Sequence, residues 1–245
     1  MNRDIFKGGE VFCSFHHTLV QRFTSICCRW IVANLFLVFG CGFDWNYGLA
    51  ETDILALKVV QKSQDHYRSI NSLEANFTQV FTSHMIREEE HGVLMIKKPQ
   101  KMYWEYKAPL KKYLFKNGKR AFFYIPHDHQ VHIYNMQDNQ MGLFFTGQAQ
   151  LDKNFEIIFE TEELPLEKKH FLVRLTPRQT NGLLLRILLE IVPSSYKIVR
   201  LVSIEPIGNR NEYILRDVRE NVRISDKRFH FKVPKGVEII RDQRK

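Results

Sequence analysis

The clearest pattern in the chain is an alternation of apolar and polar residues that starts shortly after residue 70. From Leu73 to Phe81, every second residue belongs to a mostly apolar set, and the residues between them are mostly polar. The alternation returns at Met102, Trp104 and Tyr106, which fall on one face while their neighbours fall on the other. A period of two residues is that of a β-strand with one buried face. The pattern therefore predicts antiparallel strands that bury a common apolar face.

Further strand patterns follow along the chain, and short turn sequences separate them. Asn117-Gly118 predicts a two-residue hairpin turn, and the segment 126–129 predicts a second turn. The later strands are predicted at 111–115, 121–125, 131–134, 155–159, 171–175, 187–191, 199–204, 210–222 and 229–233. Because strands joined by short turns pair antiparallel, we predict a mainly β (α+β) fold with a single antiparallel sheet of about ten strands. A sheet of this width curls, so we expect a strongly curved half-barrel.

Two segments have a helical pattern instead. Residues 52–70 place apolar side chains at helical spacing, and Thr52 or Asp53 can cap this helix. Residues 139–150 are also predicted to be helical, but they are too apolar for a helix surrounded by water. We therefore expect helices that cover the concave apolar side of the sheet.

The pattern leaves two interpretations of that concave side. Either aromatic side chains fill it completely, or part of it is a pocket for an apolar ligand. Long, adaptable side chains on the inward faces favour the pocket, because such side chains can rearrange around a ligand. These side chains are Met102, Met141, Phe144, Phe145 and Phe155.

Four short motifs occur in a fixed order along the chain. They are F-T-Q at 77–79, G-V-L-M-I-K-K-P at 92–99, W-E-Y at 104–106 and F-H-F-K-V-P-K-G-V-E at 229–238. This ordered set is similar to the motifs of the periplasmic outer-membrane lipoprotein carriers, the LolA-like family. The likeness extends over residues 52 to 245. The resemblance implies a LolA-like lipoprotein-carrier domain at 51–245, with the half-barrel fold that the pattern predicts.

The first 50 residues differ from the rest of the chain. Two arginines precede the uncharged apolar run 30–43, which is too short for a comfortable bilayer span and suits the apolar region of a signal peptide. Gly48 and Ala50 supply the small residues of a cleavage site. We therefore predict a leader at 1–50 that directs export and is cleaved after Ala50. Two alternatives stay open, an uncleaved membrane anchor and a lipoprotein cysteine at Cys41.

Composition narrows the function classes. All four cysteines lie in the leader, so the chain after Ala50 has neither a disulfide framework nor a thiol for catalysis. The net charge is +9, and 32 basic and 24 acidic residues remain without the leader. Such basicity often marks proteins that bind nucleic acid or anionic membranes. Because the basic residues are interspersed with acidic ones and the aromatic residues fall on buried strand faces, we expect no nucleic-acid partner.

No segment predicts catalysis or a resident cofactor. His127, His129 and His132 are the best metal candidates, but the first two fall in a predicted turn without a matching carboxylate, so we interpret them as exposed turn residues. The acidic run 88–90, with His91 after it, is interpreted as a solvated loop between strands. The sequence has no G-x-S-x-G motif, no P-loop and no dinucleotide fingerprint. We therefore predict a protein that is not an enzyme and that holds neither a metal nor a cofactor.

The resemblance implies a function for the concave side. LolA-like proteins take lipoproteins from an inner-membrane ABC transporter, hold the acyl chains in an apolar cavity beneath helical lids, and deliver them to an outer-membrane receptor. The implied protein is thus a monomeric periplasmic carrier with lipoproteins as its cargo. Two alternatives on the same fold remain open, a periplasmic binder of another lipid or glycolipid and a membrane-anchored envelope sensor or scaffold.

The resemblance also suggests which residues line the cavity and hold its lid. Lys98 stands where many family members have an arginine that hydrogen-bonds the lid and keeps the empty carrier closed. A lysine presents a point charge in place of a planar fork, so we expect a latch that is weaker or differently arranged. The helix after Asn139 is expected to be part of the lid. The residues expected to line the acyl-chain cavity are Leu73, Phe77, Met102, Trp104, Tyr106, Phe144 and Phe155.

Overall fold

A computed structural model describes residues 51–135, 140–179 and 184–241. Over these residues the helices are α1 (Glu51–Ser69), α2 (Gln140–Thr146) and α3 (Leu151–Asn154), with one 3-10 helix at Asp226–Phe229. The strands are β1 (Ser72–Thr82), β2 (Arg87–Lys97), β3 (Lys101–Ala108), β4 (Lys112–Asn117), β5 (Arg120–Ile125), β6 (Gln130–Asn135), β7 (Phe155–Phe159), β8 (Phe171–Pro177), β9 (Arg186–Ile191), β10 (Ile198–Ile204), β11 (Arg210–Glu220) and β12 (Glu238–Arg241). The predicted helices at 52–70 and 139–150 correspond to α1 and α2.

The strands of the described chain form a single open, curved sheet of twelve strands. Their order is β12-β6-β5-β4-β3-β2-β1-β11-β10-β9-β8-β7. Neighbouring strands pair antiparallel, except that β12 runs parallel to β6. The predicted fold class, a mainly β half-barrel with helices on its concave side, is confirmed. The sheet is wider than the predicted sheet of about ten strands, and it is not purely antiparallel.

The prediction for the last strand is wrong. Residues 230–237 form neither helix nor strand, and the final strand is β12 instead of 229–233. The aromatic side chains of this region pack against the surface of the sheet, where Phe231 stacks on Phe115 with ring centroids 4.7 Å apart. Burial of an aromatic ring stabilises the fold more than a few exposed strand–strand hydrogen bonds would. The backbone of this segment therefore takes the path that packs its aromatic rings on the sheet, and it does not pair as a strand.

Two predictions about hairpins also need correction. The turn between β4 and β5 is Gly118-Lys119, one residue later than predicted, because Asn117 still belongs to the ladder and Gly118 adopts the positive φ of 64°. The acidic run 88–90 lies in β2 and not in a loop, because β2 pairs with the whole length of β1. As a result, these carboxylates alternate between the two faces of the sheet.

The sheet has an inner face, covered by α1 and α2, and an outer face. Successive residues of a strand point to opposite faces, so Met102 and Trp104 of β3 lie on the inner face and Tyr103 lies on the outer face. The inner-face side chains pack with the buried sides of α1 and α2, and together they form the main hydrophobic core. The candidate site is therefore part of the molecular core and not a surface groove.

One part of the outer face is covered by residues 222–231, which we call the C-terminal strap. Its Ile224 and Phe229 are buried against Tyr103. Lys97 and Lys101 both pair with Asp226 of the strap, with N to O distances of 2.7 and 2.9 Å. These two hydrogen-bonded lysines lower the pKa of Asp226 to about 2.

Another part of the outer face is covered by the loop 160–170. Glu190 of β9 is fully buried, and its carboxylate accepts hydrogen bonds from the backbone N–H groups of Leu166 and Glu167 in this loop. Arg210 of β11 forms a bidentate pair with Glu163 of the loop, with both distances 2.8 Å. The loop is thus fixed to the sheet by hydrogen-bonded charges, which are the strong class of polar contact.

Some predictions fall outside the described residues. They concern the leader at 1–50 with its cleavage site and cysteines, the lid residue Asn139 and the chain after Arg241. Within the described ranges, no helix is long and apolar enough to cross a membrane.

Candidate functional site

The seven residues expected to line a cavity lie together on the inner side of the molecule. Leu73, Phe77, Met102, Trp104, Phe144 and Phe155 belong to the main core, and Tyr106 packs against it. Five of the seven come from β1 and β3, one comes from α2 and one begins β7. The structure therefore brings the predicted set into one apolar interior beneath a helical cover, and its members are packed against one another.

Aromatic rings form the centre of this interior. The ring centroid of Trp104 lies 4.9 Å from that of Phe77 and 5.4 Å from that of Tyr213, both in edge-to-face geometry. The ring of Tyr106 meets Phe77 edge to face at 5.1 Å. A Cβ atom at Gly92, on the adjacent strand, would come within 2.7 Å of the Phe77 ring. The glycine of the second motif thus allows Phe77 to lie flat against β2.

A chain of polar side chains begins at these rings and runs towards the hairpin between β1 and β2. Tyr106 Oη donates to Gln79 Oε1 at 2.9 Å, and Gln79 Nε2 donates to Asn211 Oδ1 at 2.9 Å. Asn211 Nδ2 in turn donates to Tyr213 Oη at 3.1 Å. Burial raises the pKa of Tyr213 to about 12 and also raises the pKa of Tyr106, so both hydroxyls stay protonated. We call Gln79, Tyr106, Asn211 and Tyr213 the polar end of the inner face.

A pair of charges lies beside the polar end. Glu90 of the acidic run forms a short ion pair with Lys112, and both side chains are largely shielded from water. Lys112 Nζ also lies 4.9 Å from the centroid of the Tyr106 ring, in a cation–π contact. The inner face therefore changes from purely apolar to hydrogen-bonded and charged along the length of β1.

The helical cover is built from α1 and α2 in direct contact. Gln64 Nε2 of α1 donates to Phe144 O of α2 at 3.4 Å, and the rings of Tyr67 and Phe145 meet edge to face at 5.5 Å. Gly147 follows α2 with a φ of 71°, and a Cβ atom there would come within 2.6 Å of the Gln64 backbone oxygen. The glycine is thus required both by the left-handed backbone that ends α2 and by the close approach to α1.

Lys98 ties α1 to the turn between β2 and β3. Its Nζ donates to the backbone oxygens of Tyr67 and Arg68, at 2.7 and 2.8 Å, at the C-terminal end of α1. A cation is favoured at this end because the last carbonyl groups of a helix have no intrahelical partners and carry partial negative charge. Partial burial lowers the pKa of Lys98. The predicted latch residue therefore contacts the helical cover, although through backbone carbonyls of α1 and not through α2.

Three buried polar atoms of the interior have no hydrogen-bond partner among the described residues. They are Ser63 Oγ and Gln64 Oε1 on the buried side of α1, and Trp104 Nε1 on β3. Buried polar groups in folded proteins are almost always paired, so each exception calls for an explanation.

The other polar candidates do not join this interior. His127 hydrogen-bonds its exposed neighbour Asp128 in the turn before β6, and the ring of His132 stacks against Tyr134. No group of three metal-ligating side chains occurs within the described ranges. His132 lies on β6, near the end of the sheet opposite β7, and α1 packs against β7.

The sequence patterns did not identify the polar end. In the alternation from Leu73 to Phe81, Gln79 is a polar residue on the apolar face, and this is the sequence feature that could have indicated a polar end. Asn211 and Tyr213 fall inside a predicted strand, but their proximity to Gln79 depends on the register in which β11 pairs with β1. That pairing joins residues more than 130 positions apart, and no local pattern predicts its register.

Residues 68–232 match the family model described as "Outer membrane lipoprotein carrier protein LolA". An outer-membrane lipoprotein carrier protein of Hahella chejuensis is 27% identical over 181 residues, covering 71% of this chain and 84% of the relative. A carrier of the same name from Idiomarina loihiensis is 28% identical, covering 73% of this chain and 86% of the relative.

Among solved structures, an uncharacterized conserved protein from Thermus thermophilus superimposes with a TM-score of 0.50 at 11% sequence identity. The match covers 77% of this chain and 99% of that protein. At this level of identity the likeness concerns the fold alone.

Proposed function

The chain belongs to the LolA family of outer membrane lipoprotein carrier proteins, and we propose that it carries lipoproteins across the periplasm by enclosing their acyl chains in its inner face. One observation supports this most strongly. The inner face buries a contiguous set of aromatic and aliphatic side chains beneath two helices, and the strand-end residue Lys98 is one of several residues that hold α1 on the sheet. A helical cover over an apolar interior is the arrangement that a reversible hydrocarbon site requires.

The physical need for such a site follows from the cost of exposing acyl chains to water. One chain of about sixteen carbons, at about 0.8 kcal/mol per buried CH₂, corresponds to about 10 kcal/mol. Three chains would exceed the practical ceiling of non-covalent affinity if all of that free energy appeared as binding. A carrier must therefore use part of the gain for a conformational change, which keeps the cargo both bound and releasable.

The packing of the interior indicates what that change is. Leu73, Met102 and Trp104 are buried among their neighbours, so an acyl chain enters only if side chains rearrange or the cover moves. We propose that α1 and α2 move away from the sheet together, because Gln64, Tyr67 and Gly147 hold them against each other. The described packing then corresponds to the empty, closed carrier.

Lys98 is proposed as the latch of this closed state. Its two hydrogen bonds to α1 are made while the helix lies on the sheet, and they are lost when the helix moves away. Charge-assisted hydrogen bonds of this kind contribute about 1.5 to 3 kcal/mol each when buried and less when partly exposed, as here. The latch thus contributes to the free energy that cargo must supply on binding and that is regained on release.

The remaining parts of the proposal follow from family membership. Cargo is received from the inner-membrane ABC lipoprotein-releasing transporter and passed to an outer-membrane receptor, and the carrier acts as a periplasmic monomer. The leader at 1–50 is proposed to direct export and to be cleaved after Ala50. Neither catalysis nor a cofactor is assigned to the inner face.

The test is recovery of cargo from the protein as the cell makes it. The protein is purified from the periplasm of expressing cells, its N-terminus is sequenced, and bound molecules are extracted and identified by mass spectrometry. We expect lipoprotein-derived acyl chains, an N-terminus at Glu51, and transfer of a radiolabelled lipoprotein from inner- to outer-membrane vesicles. Recovery of phospholipid or glycolipid without lipoprotein transfer would favour the other lipid-binding function on the same fold. The absence of any bound lipid together with no transfer would contradict both.

A further inference from the structure

The interior contains a buried hydrogen-bond donor that the closed protein does not use. Trp104 is 3% exposed, and its Nε1–H finds no acceptor among the described residues. Leaving a buried N–H unpaired destabilises the folded state, and tryptophan is normally buried where its N–H reaches a partner. The indole therefore has an unmet capacity to donate one hydrogen bond inside an apolar interior.

Trp104 lies next to the polar end of the inner face. The register of β1, β2 and β3 arranges the inner face in successive rows, which are Leu73 with Ile96 and Met102, Ala75 with Leu94 and Trp104, Phe77 with Gly92 and Tyr106, and Gln79 with Glu90. The first rows are apolar, and the last row begins the polar network. Since the Trp104 ring contacts both Phe77 and Tyr213, it lies where the apolar rows meet the polar end.

This change of polarity along one face matches the chemistry of an acylated ligand. An acyl chain is apolar along its length and ends in an ester or amide carbonyl group, which is a neutral hydrogen-bond acceptor. The side chains of the polar end already donate to one another, and Glu90 is paired with Lys112. Among these groups, the Trp104 N–H is a donor without a partner in the described structure.

We propose that Trp104 Nε1–H donates a hydrogen bond to the ester or amide carbonyl oxygen of a bound acyl chain. The tail then extends along the apolar rows towards Leu73 and Met102, and the headgroup lies towards Gln79 and Tyr106. This inference rests on the proposed lipid-binding function and adds to it a defined orientation of the ligand. It also makes the carrier selective for acyl chains over plain hydrocarbon, because hydrocarbon leaves the donor unpaired.

The test compares two lipids that differ in one carbonyl group. The probes are 1-palmitoyl-lysophosphatidylcholine, which has an ester carbonyl, and 1-hexadecyl-lysophosphatidylcholine, which has an ether in its place. Their dissociation constants for the full chain and for Trp104→Phe are measured by isothermal titration calorimetry. We expect the wild type to prefer the ester by about tenfold, or 1.4 kcal/mol, and the variant to bind both lipids with nearly equal affinity.

The matched control is Phe155→Leu, which also removes aromatic surface from the interior but removes no donor. It is expected to weaken both lipids by a similar factor and to keep the tenfold preference for the ester. If the preference is absent in the wild type, or persists unchanged in Trp104→Phe, the carbonyl contact is wrong while lipid binding stands. If the wild type binds neither lipid, the carbonyl contact is overturned, and the carrier function is then judged separately by the lipoprotein-transfer assay.

A second measurement avoids substitution of Trp104. In a chain with Trp30→Phe and Trp45→Phe, a single indole N–H remains, and its ¹H–¹⁵N resonance is recorded by NMR. The ester lipid is expected to shift the proton resonance downfield, as a new hydrogen bond does, and the ether lipid is expected not to do so. Equal shifts with both lipids would overturn the inference.

Discussion

Lys97 and Lys98 are adjacent in sequence, yet they hold opposite covers on the same sheet. Lys97 Nζ donates to Asp226 Oδ1 at 2.7 Å and to Ile224 O at 2.8 Å, and so fixes the C-terminal strap on the outer face. Lys98 Nζ donates to two carbonyl groups at the end of α1, which covers the inner face. Adjacent residues thus hold covers on opposite faces of one sheet, and the proposed function requires only the inner cover to move.

The outer cover is fixed by several independent contacts. Lys101 shares Asp226 with Lys97, and Arg228 lies over the ring of Tyr103 at 4.9 Å. Beyond the strap's helix, Phe231 stacks on the aromatic side chains of β4 and β5. Loss of one such contact leaves the others in place, so we expect the strap to stay on the sheet during function.

The inner cover is held to the sheet by polar contacts of α1, while the contacts between α1 and α2 are longer. Besides its bonds from Lys98, α1 accepts a hydrogen bond from Ile198 N at Tyr67 Oη, 2.9 Å away. Its His66 Nε2 lies 2.8 Å from Glu220 Oε1.

The hydrogen bonds from Gln64 and Arg68 of α1 to the backbone of α2 and of Gly147 after it are 3.4 and 3.5 Å long. Ser63 and Gln64 bury oxygen atoms that have no partner among the described residues. The unpaired oxygens raise the free energy of the closed cover and so reduce the cost of moving it, as the proposed lid motion requires.

The largest expected difference between the two faces comes from a buried charge. Met102→Glu places a carboxylate in the apolar interior, where we expect it to lower the free energy of unfolding by about 3 to 4 kcal/mol. Binding of a fluorescent fatty-acyl probe should weaken at least about tenfold, since the charge must stay desolvated beside hydrocarbon. Stability is measured by urea unfolding, and binding is measured by fluorescence titration.

Met95→Glu is the matched control for this charge. Met95 lies on the adjacent strand, on the outer face and half-buried, so the same substitution should cost less than about 1 kcal/mol and leave probe binding unchanged. If Met102→Glu unfolds the protein, the neutral Met102→Gln keeps the comparison measurable. Equal binding losses at the two positions would mean that the inner face has no special role in ligand binding.

A smaller loss of stability is expected when alanine replaces either of two glycines that have a positive φ. Gly147→Ala combines left-handed strain with a contact of 2.6 Å to the backbone of α1, so we expect about 2 to 3 kcal/mol of destabilisation. The clash should separate α2 from α1 and so raise hydrogen exchange in α1 before it affects the sheet. Exchange is measured residue by residue by NMR.

Gly118→Ala is the control, because Gly118 has a φ of 64° but a Cβ atom there would meet nothing within 4 Å among the described residues. Only the strain of about 1 to 2 kcal/mol is expected, with no change in the exchange of α1. Similar exchange profiles for the two variants would show that the close approach of α1 and α2 does not control the cover.

The two lysines are expected to affect ligand release more than stability. Lys98→Leu removes two hydrogen bonds at a partly exposed site, so we expect about 1 to 2 kcal/mol of destabilisation. The rate at which a bound acyl probe is released should fall about threefold to tenfold. Without the latch, the empty closed state is less stable, and less free energy is regained on release. Release is followed by stopped-flow fluorescence after mixing with acceptor vesicles.

Lys97→Leu provides the comparison at the neighbouring position. It removes two hydrogen bonds of similar length from the strap, but Lys101 retains Asp226. A loss of stability no larger than that of Lys98→Leu is expected, with an unchanged release rate. The latch assignment fails if the two variants release the probe at the same rate.

Much of this molecule was predictable from local patterns. The alternation from Leu73 to Phe81 predicted β1 and its buried face, and the apolar segment after residue 139 predicted a covering helix. The C-terminal prediction failed at Phe229 and Phe231, where alternating aromatic residues pack on the outer face without joining the ladder. Alternation reports which side chains are buried, but it does not report whether the backbone between them pairs with a strand.

The sequence by itself determined the fold class, the family motifs and the placement of seven predicted residues on the inner side of the sheet. Each of these depends on a short-range pattern, in which burial of one face fixes the period of the residues. The tertiary structure alone decided that Lys97 and Lys98 hold different covers, that Gln79 joins Asn211 and Tyr213, and that Trp104 has no acceptor among the described residues. These features depend on the register between strands that are distant in sequence, and pairing across the sheet, not the local order of residues, sets that register.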